Sequence, residues 1–253
     1  MLLVFIFGLL IGSFLNVCIY RIPRQESIVF TGSHCTACGT PIKFYDLIPV
    51  LSYVLLRGRC RFCKSRISPQ YPLIELATAV LITFQAWKWG LTVSFMLFAA
   101  LTAVLIVVTM VDFYHQIIPD SFIIAIAILG LFYLATIQAP QRGFSAVVDS
   151  IVGLFVGGAL FFLISFVSKG GMGGGDIKLM AVLGLWFGWK KILLLMLVAF
   201  VSGAFISVPL LLMHRKSGKD AVPFGPFIAL AAYFISLFGN ELLQWYSQYF
   251  MMI

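Results

Sequence analysis

Apolar runs close to 20 residues long recur from one end of this chain to the other, and no other feature limits its fold so strongly. A hydrocarbon core about 30 Å thick demands about that length of helix. The runs are residues 1–20, 72–88, 92–111, 121–139, 146–167, 178–189, 192–213 and 223–249. They predict an all-α polytopic integral membrane protein with about eight transmembrane helices. Composition agrees: 62% of the 253 residues are hydrophobic and only 10% are charged, whereas a soluble domain carries about a quarter charged residues. A soluble globular fold is excluded. The run 178–189 stands apart, because its length gives roughly 18 Å of helix, too little to cross a full core unaided.

Lys and Arg total 17 against nine Asp and Glu, a formal charge of +8. In a soluble protein this would suggest a nucleic-acid partner. Beside membrane spans it reports orientation, since cations resist translocation and favour the anionic inner leaflet. Membrane lipids are therefore expected partners and nucleic acid is not. The first run has no cation before it and has Arg21 and Arg24 directly after it, the reverse of a signal peptide. It reads as a retained helix with its N-terminus outside. Alternation from there places 21–70, 112–120, 168–178 and 214–221 in the cytoplasm with 13 of the 17 cations. Lys88, Arg142, Lys190 and Lys191 fall on the opposite side. If 178–189 failed to cross, His214, Arg215 and Lys216 would move outside, so the charge bias favours a real, short crossing.

The long polar stretch after the first run holds eight of the 17 Lys/Arg and four of the five cysteines. The chain thus divides into a first helix, 1–20, a small cytoplasmic loop domain, 21–71, and a helical core, 72–253. Cys35-x-x-Cys38 and Cys60-x-x-Cys63 are separated by 21 residues, a spacing close to that of four-cysteine zinc sites. Gly39 follows one pair and Gly58 precedes the other, as tight turns around a metal require. Two disulfides are the alternative, and a reducing cytoplasm argues against them. Four thiolates leave no open position for a substrate water, so such a zinc folds the loop and does not catalyse. Cys18 lies in an apolar span and reads as a small packing residue. His34, His115 and His214 form no cluster, so no catalytic metal is expected.

Among the acids, Glu26, Asp46, Asp149, Asp220 and Glu241 sit in loops or near span ends, where solvation or pairing accounts for them. Asp112 ends one apolar run. Asp176 ends the stretch Lys169-Gly-Gly-Met-Gly-Gly-Gly-Asp176, which packs five of the 22 glycines into six residues and is expected to be irregular backbone, each Gly costing roughly 1 kcal/mol in a helix. Both aspartates fall at the cytoplasmic boundary, where they can meet. Two adjacent carboxylates in a low-dielectric pocket share a proton, giving a base for a water and an acid for a carbonyl oxygen. That is aspartic-protease chemistry. Gly173, Gly174 and Gly175 would let an extended peptide approach closely and would offer N–H groups to it. The plainer alternative is that Asp176 caps a helix or pairs with Lys178. Asp120, after Pro119, reads as an N-cap. Glu75, a lone acid inside a span, is either functional or paired with a loop cation.

At these residues the chain resembles the bacterial type IV prepilin peptidases, membrane aspartic proteases that share a Gly-x-Gly-Asp motif. The resemblance runs through Gly12-Ser-Phe-Leu-Asn-Val-Cys-Ile-Tyr-Arg-Ile-Pro23, the two Cys-x-x-Cys pairs, Tyr71-Pro-Leu-Ile-Glu-Leu-Ala77, Asp112 with Ile118-Pro-Asp120, Gly173-Gly-Gly-Asp-Ile-Lys178 and Pro223-Phe-Gly-Pro-Phe227. It implies that Asp112 and Asp176 are the catalytic pair and that Gly173, Gly174, Gly175 and Lys178 belong to the active-site loop. The implied substrates are type IV prepilin or pseudopilin precursors, cut after a glycine at the cytoplasmic face of the bacterial inner membrane. Many members of the family also N-methylate the new terminus with S-adenosylmethionine, and the cysteine loop makes this chain resemble those bifunctional enzymes. No strand–Gly-x-Gly-x-x-Gly–helix unit marks a site for that donor, and Asn16, Arg21 and Glu75 are its candidate contacts. The rival reading is a non-enzymatic transporter or assembly scaffold that docks partners through the zinc loop. Against a transporter, the acids collect at one face and not at the bilayer midplane.

Overall fold

The computed structural model describes residues 1–30, 32–169, 171–212 and 223–250. The basic segment 214–221, with His214, Arg215, Lys216 and Asp220, lies outside the described residues. Among the described residues the regular structure is helical, with two isolated bridges, His34 to Pro41 and Arg59 to Arg66. The chain forms two compact units, Met1–Val107 and Val108–Ile253.

The first unit contains α1 (Leu2–Arg21), the cysteine loop with the short α2 (Leu51–Leu55), α3 (Gln70–Trp89) and the opening turns of α4 (Val93–His115). Helix α1 packs on α3 through small residues one turn apart. A methyl added at Gly8 would come within 2.6 Å of the Ala79 Cα, and one at Gly12 within 2.6 Å of the Glu75 Cα. Close backbone approach of this kind drives helix association where lipid offers no hydrophobic gain. Deeper along α3, Gln85 donates to Thr102 at 2.9 Å, a buried polar pair that satisfies part of what would otherwise be costly in an apolar setting.

The second unit contains the end of α4, then α5 (Asp120–Tyr133), α6 (Ala139–Arg142), α7 (Phe144–Val167), α8 (Gly174–Leu212) and α9 (Gly225–Phe250). Helix α8 breaks at Gly188, where φ is +73° and ψ is 173°. Backbone of both Gly184 and Gly188 lies against Gly153, while Met180 before the break and Ile192 after it both lie against Gly157. The chain therefore reverses at Gly188, and the two arms of α8 run in opposite directions along α7. Asp149 holds the reversal: its carboxylate accepts the Trp189 N–H at 3.2 Å and pairs with Arg142 at 2.9 Å. The first arm is fixed to α5 by Trp186, whose indole N–H donates to the Ile126 carbonyl at 2.9 Å and whose ring stacks on Tyr133.

Six of the described helices are long and apolar enough to cross a membrane. The expected eight segments differ from these six for two reasons. Runs 178–189 and 192–213 are the two arms of α8, joined through Gly188, and α3 carries Glu75, Gln85 and Lys88 and falls below the others in hydropathy. The glycine-rich stretch also departs from expectation. Gly171, Met172 and Gly173 are irregular, but Gly174 and Gly175 already form the first turn of α8, a position where the helix-interior penalty for glycine does not apply in full.

Candidate metal centre and candidate active site

In the first unit the two cysteine pairs build nearly the same turn twice. The Cys35 carbonyl accepts the Gly39 N–H at 2.8 Å and its N–H donates to Thr40 at 3.0 Å; Cys60 does the same with Lys64 at 3.1 Å and Ser65 at 2.9 Å. The residue after each pair has positive φ, +70° at Gly39 and +60° at Lys64. All four sulfurs lie within 4.8 Å of one another, with Cys35 and Cys63 3.8 Å apart. A tetrahedral thiolate site with metal–sulfur bonds of about 2.3 Å needs sulfurs roughly 3.8 Å apart, so the cluster is able to hold one ion with no position left open. Backbone N–H groups of Cys38 and Ala37 draw the Cys35 thiol down to about 6, and the Ser65 hydroxyl lowers that of Cys63. Beside the cluster, Arg61 grips Asp46 with two hydrogen bonds of 2.8 and 2.6 Å, which holds the Asp46 carboxyl below its ordinary value.

The loop is tied to the helices by residues singled out from the sequence. Glu75 accepts the Val50 N–H at 2.7 Å, at a residue forced to φ +62°. Arg21 donates to the carbonyls of Ser27 and Gly32 at 3.2 and 3.1 Å. Asn16 donates to Gly12 and Tyr71 at 3.2 and 3.1 Å, and its Oδ1 is buried with no partner among the described residues. All three side chains are buried. The ion pair with a loop cation, one of the two alternatives read for Glu75 from sequence, is not what its contact in the structure shows: Glu75 accepts a backbone N–H in the loop.

In the second unit Asp112, near the end of α4, and Asp176, in the first turn of α8, are 6% and 8% exposed. They are close enough for the charge of Asp112 to act on Asp176. Asp112 Oδ2 accepts the Gly225 N–H at 2.9 Å. The Asp176 N–H bonds the Gly173 carbonyl at 3.1 Å. Its Oδ1 is buried and has no hydrogen-bond partner among the described residues. The proposed pairing of Asp176 with Lys178 does not form, because Lys178 reaches Asp120 instead at 2.7 Å, both side chains being exposed. Asp120 is therefore not an N-cap: Pro119 occupies that place and Asp120 opens α5. Around Asp176, a methyl at Gly175 would lie 2.9 Å from Ile118 Cβ, whereas one at Gly174 would meet nothing within 4 Å.

In the sequence Gly225 is marked only by its place in Pro223–Phe227. Its signal was there, a glycine and a proline opening a helix, but the sequence could not say which side chain it faces.

A multi-helix membrane protein that pairs a four-cysteine loop in one unit with two buried aspartates in the other is the class defined here. The bacterial Peptidase A24 N-terminal domain matches residues 6–89 and the Type IV leader peptidase family matches residues 99–208. A prepilin leader peptidase/N-methyltransferase of Pseudomonas putida is 35% identical, over 94% of this chain and 90% of the relative. Proteins with the same description from Pseudomonas aeruginosa and Legionella pneumophila are each 33% identical, covering 96% and 99% of this chain and 91% and 95% of their own lengths. No solved structure matches the chain. This chain belongs to the type IV leader peptidase family.

Proposed function

We propose that this protein cleaves the leader from type IV prepilin or pseudopilin precursors with Asp112 and Asp176 as its catalytic pair. The observation that supports the reading is that two buried carboxylates drawn from distant parts of the chain lie within range of each other's charge, one of them with an oxygen unpartnered among the described residues. Such a pair keeps one proton between them. A water then gives its proton to the ionised carboxylate as its oxygen bonds the scissile carbonyl carbon, and the protonated partner gives its proton to the carbonyl oxygen. The diol collapses with cleavage of the C–N bond. The departing amine takes the first carboxyl's proton and a diol hydroxyl returns one to the second, leaving a leader carboxylic acid and a new N-terminus. The open space at Gly174 suits an extended peptide passing the pair.

The distribution of Lys and Arg supports a cytoplasmic position for the cysteine loop and the aspartates in the inner membrane. Zinc is the metal that four cytoplasmic thiolates fit best, in a structural role. The relatives' second activity extends to this chain as methylation of the new N-terminal amine, for which S-adenosylmethionine supplies the methyl group. Among the candidate contacts Asn16 offers an atom with no partner among the described residues, its Oδ1. Arg21 and Glu75 are engaged in ordering the loop and would shape such a site from behind. Nothing in the structure favours the transporter or scaffold reading.

The test is co-expression with a prepilin precursor, followed by N-terminal sequencing and intact mass of the product. Asp112→Asn and Asp176→Asn are expected to abolish cleavage while the protein still inserts; cleavage retained in both removes the mechanism. A product mass lacking the methyl group, with cleavage intact, removes the second activity alone.

A further inference from the structure

Helix α9 opens against Asp112 in a way that nothing about the reaction alone requires. Its N-terminal N–H groups are nearly all spoken for. Pro226 has none, and those of Phe227 and Ile228 turn back to the Phe224 carbonyl at 3.0 and 3.2 Å. The Gly225 N–H is the remaining donor of that turn, and it goes to Asp112 Oδ2 at 2.9 Å in a buried setting. The glycine is not there for its conformational freedom, since its φ is not positive. It is there for proximity: a Cβ would stand 2.7 Å from Asp112 Oδ2 and 3.1 Å from its Cγ.

We propose that Gly225 is a positioning residue for the aspartate pair, its N–H fixing Asp112 Oδ2 and its missing side chain admitting that carboxylate to the start of α9. This rests on the reading of Asp112 and Asp176 as catalytic and adds a division of labour to it. A backbone donor at hydrogen-bond distance favours a negative acceptor, and Asp112 Oδ2 has one in the Gly225 N–H, so Asp112 is assigned as the ionised member that takes the proton from water. Asp176, whose Oδ1 finds no partner among the described residues, carries the shared proton and delivers it to the carbonyl oxygen. With Oδ2 held by Gly225, Oδ1 is the Asp112 oxygen assigned to take the proton from water. Geometric control of this kind is steep, a displacement of about 1 Å being worth up to about a hundredfold in rate.

The experiment compares purified wild type, Gly225→Ala and Asp112→Asn on a prepilin-like peptide. Gly225→Ala is expected to lose at least about tenfold in kcat with KM within about twofold, because the methyl displaces the carboxylate and leaves peptide binding alone. A wild-type kcat, or a loss that falls on KM, overturns the proposal. As a measurement that does not depend on the glycine variant folding, the Gly225 amide resonance is followed in glycine-labelled protein with Asp112 intact and as Asp112→Asn. An upfield move of the Gly225 proton on neutralising its acceptor supports the proposal, and an unmoved resonance overturns it. If Asp112→Asn still cleaves, it is the catalytic pair that fails; if Asp112→Asn is dead and Gly225→Ala is fully active, only the positioning role fails.

Discussion

The carboxylate of Glu75, buried where α3 meets α1, accepts the backbone N–H of Val50 in the cysteine loop at 2.7 Å. One acid in an apolar helix thereby holds the cysteine loop at Val50, a non-glycine residue with φ +62°. Glu75→Ala strands that N–H and is expected to cost about 1–3 kcal/mol of loop stability. Glu75→Gln keeps an acceptor oxygen and is expected to lose less. Limited proteolysis of the loop checks the order wild type, Gln, Ala in increasing susceptibility.

The cysteine cluster predicts about one zinc per chain in metal analysis. In metal-stripped protein Cys35, drawn down to about 6 by the N–H groups of Cys38 and Ala37, is mostly thiolate at neutral pH and loses that character as the pH falls below 6. It is therefore expected to alkylate ahead of Cys60 at neutral pH, with zinc protecting both. Mass mapping of alkylated peptides reads this directly; equal labelling at neutral pH counts against it.

Lys64 occupies the turn position that Gly39 fills in the other cysteine pair, at φ +60° against +70°. A side chain in this region costs about 1–2 kcal/mol. Lys64→Gly is expected to slow zinc loss to a chelator, and a faster loss would show that the lysine contributes more than its strain.

The two glycines that open α8 are expected to behave differently. Gly175→Ala drives a methyl to 2.9 Å from Ile118 Cβ and is expected to destabilise the fold around Asp176 by about 1–3 kcal/mol. Gly174→Ala meets no protein atom within 4 Å, so folding is expected to be retained while KM for a prepilin peptide rises. Thermal unfolding in detergent, set beside peptide cleavage kinetics, separates the two.

The local features of this protein were legible in its sequence because they depend on neighbours along the chain. Apolar run length follows from bilayer thickness, and the two cysteine pairs from turn geometry, so both the helical class and the four-sulfur cluster were readable. The seam between 178–189 and 192–213 was readable as an anomaly, but its resolution needed Asp149, which seats the reversal at Gly188 from another helix. The sequence could not tell that Lys178 bypasses Asp176 for Asp120, or that Glu75 serves a backbone N–H and not a cation. Each depends on which segment a helix happens to face.

Sequence by itself thus determined that the chain is a bundle of membrane helices with a cysteine-bound loop, and which acids were worth watching. Only the tertiary structure decided that Asp112 is gripped by the first residue of α9 while Asp176 is left with a bare oxygen. Hydropathy and spacing are properties of single segments, whereas a carboxylate's partner is set by the packing of helices far apart in the chain.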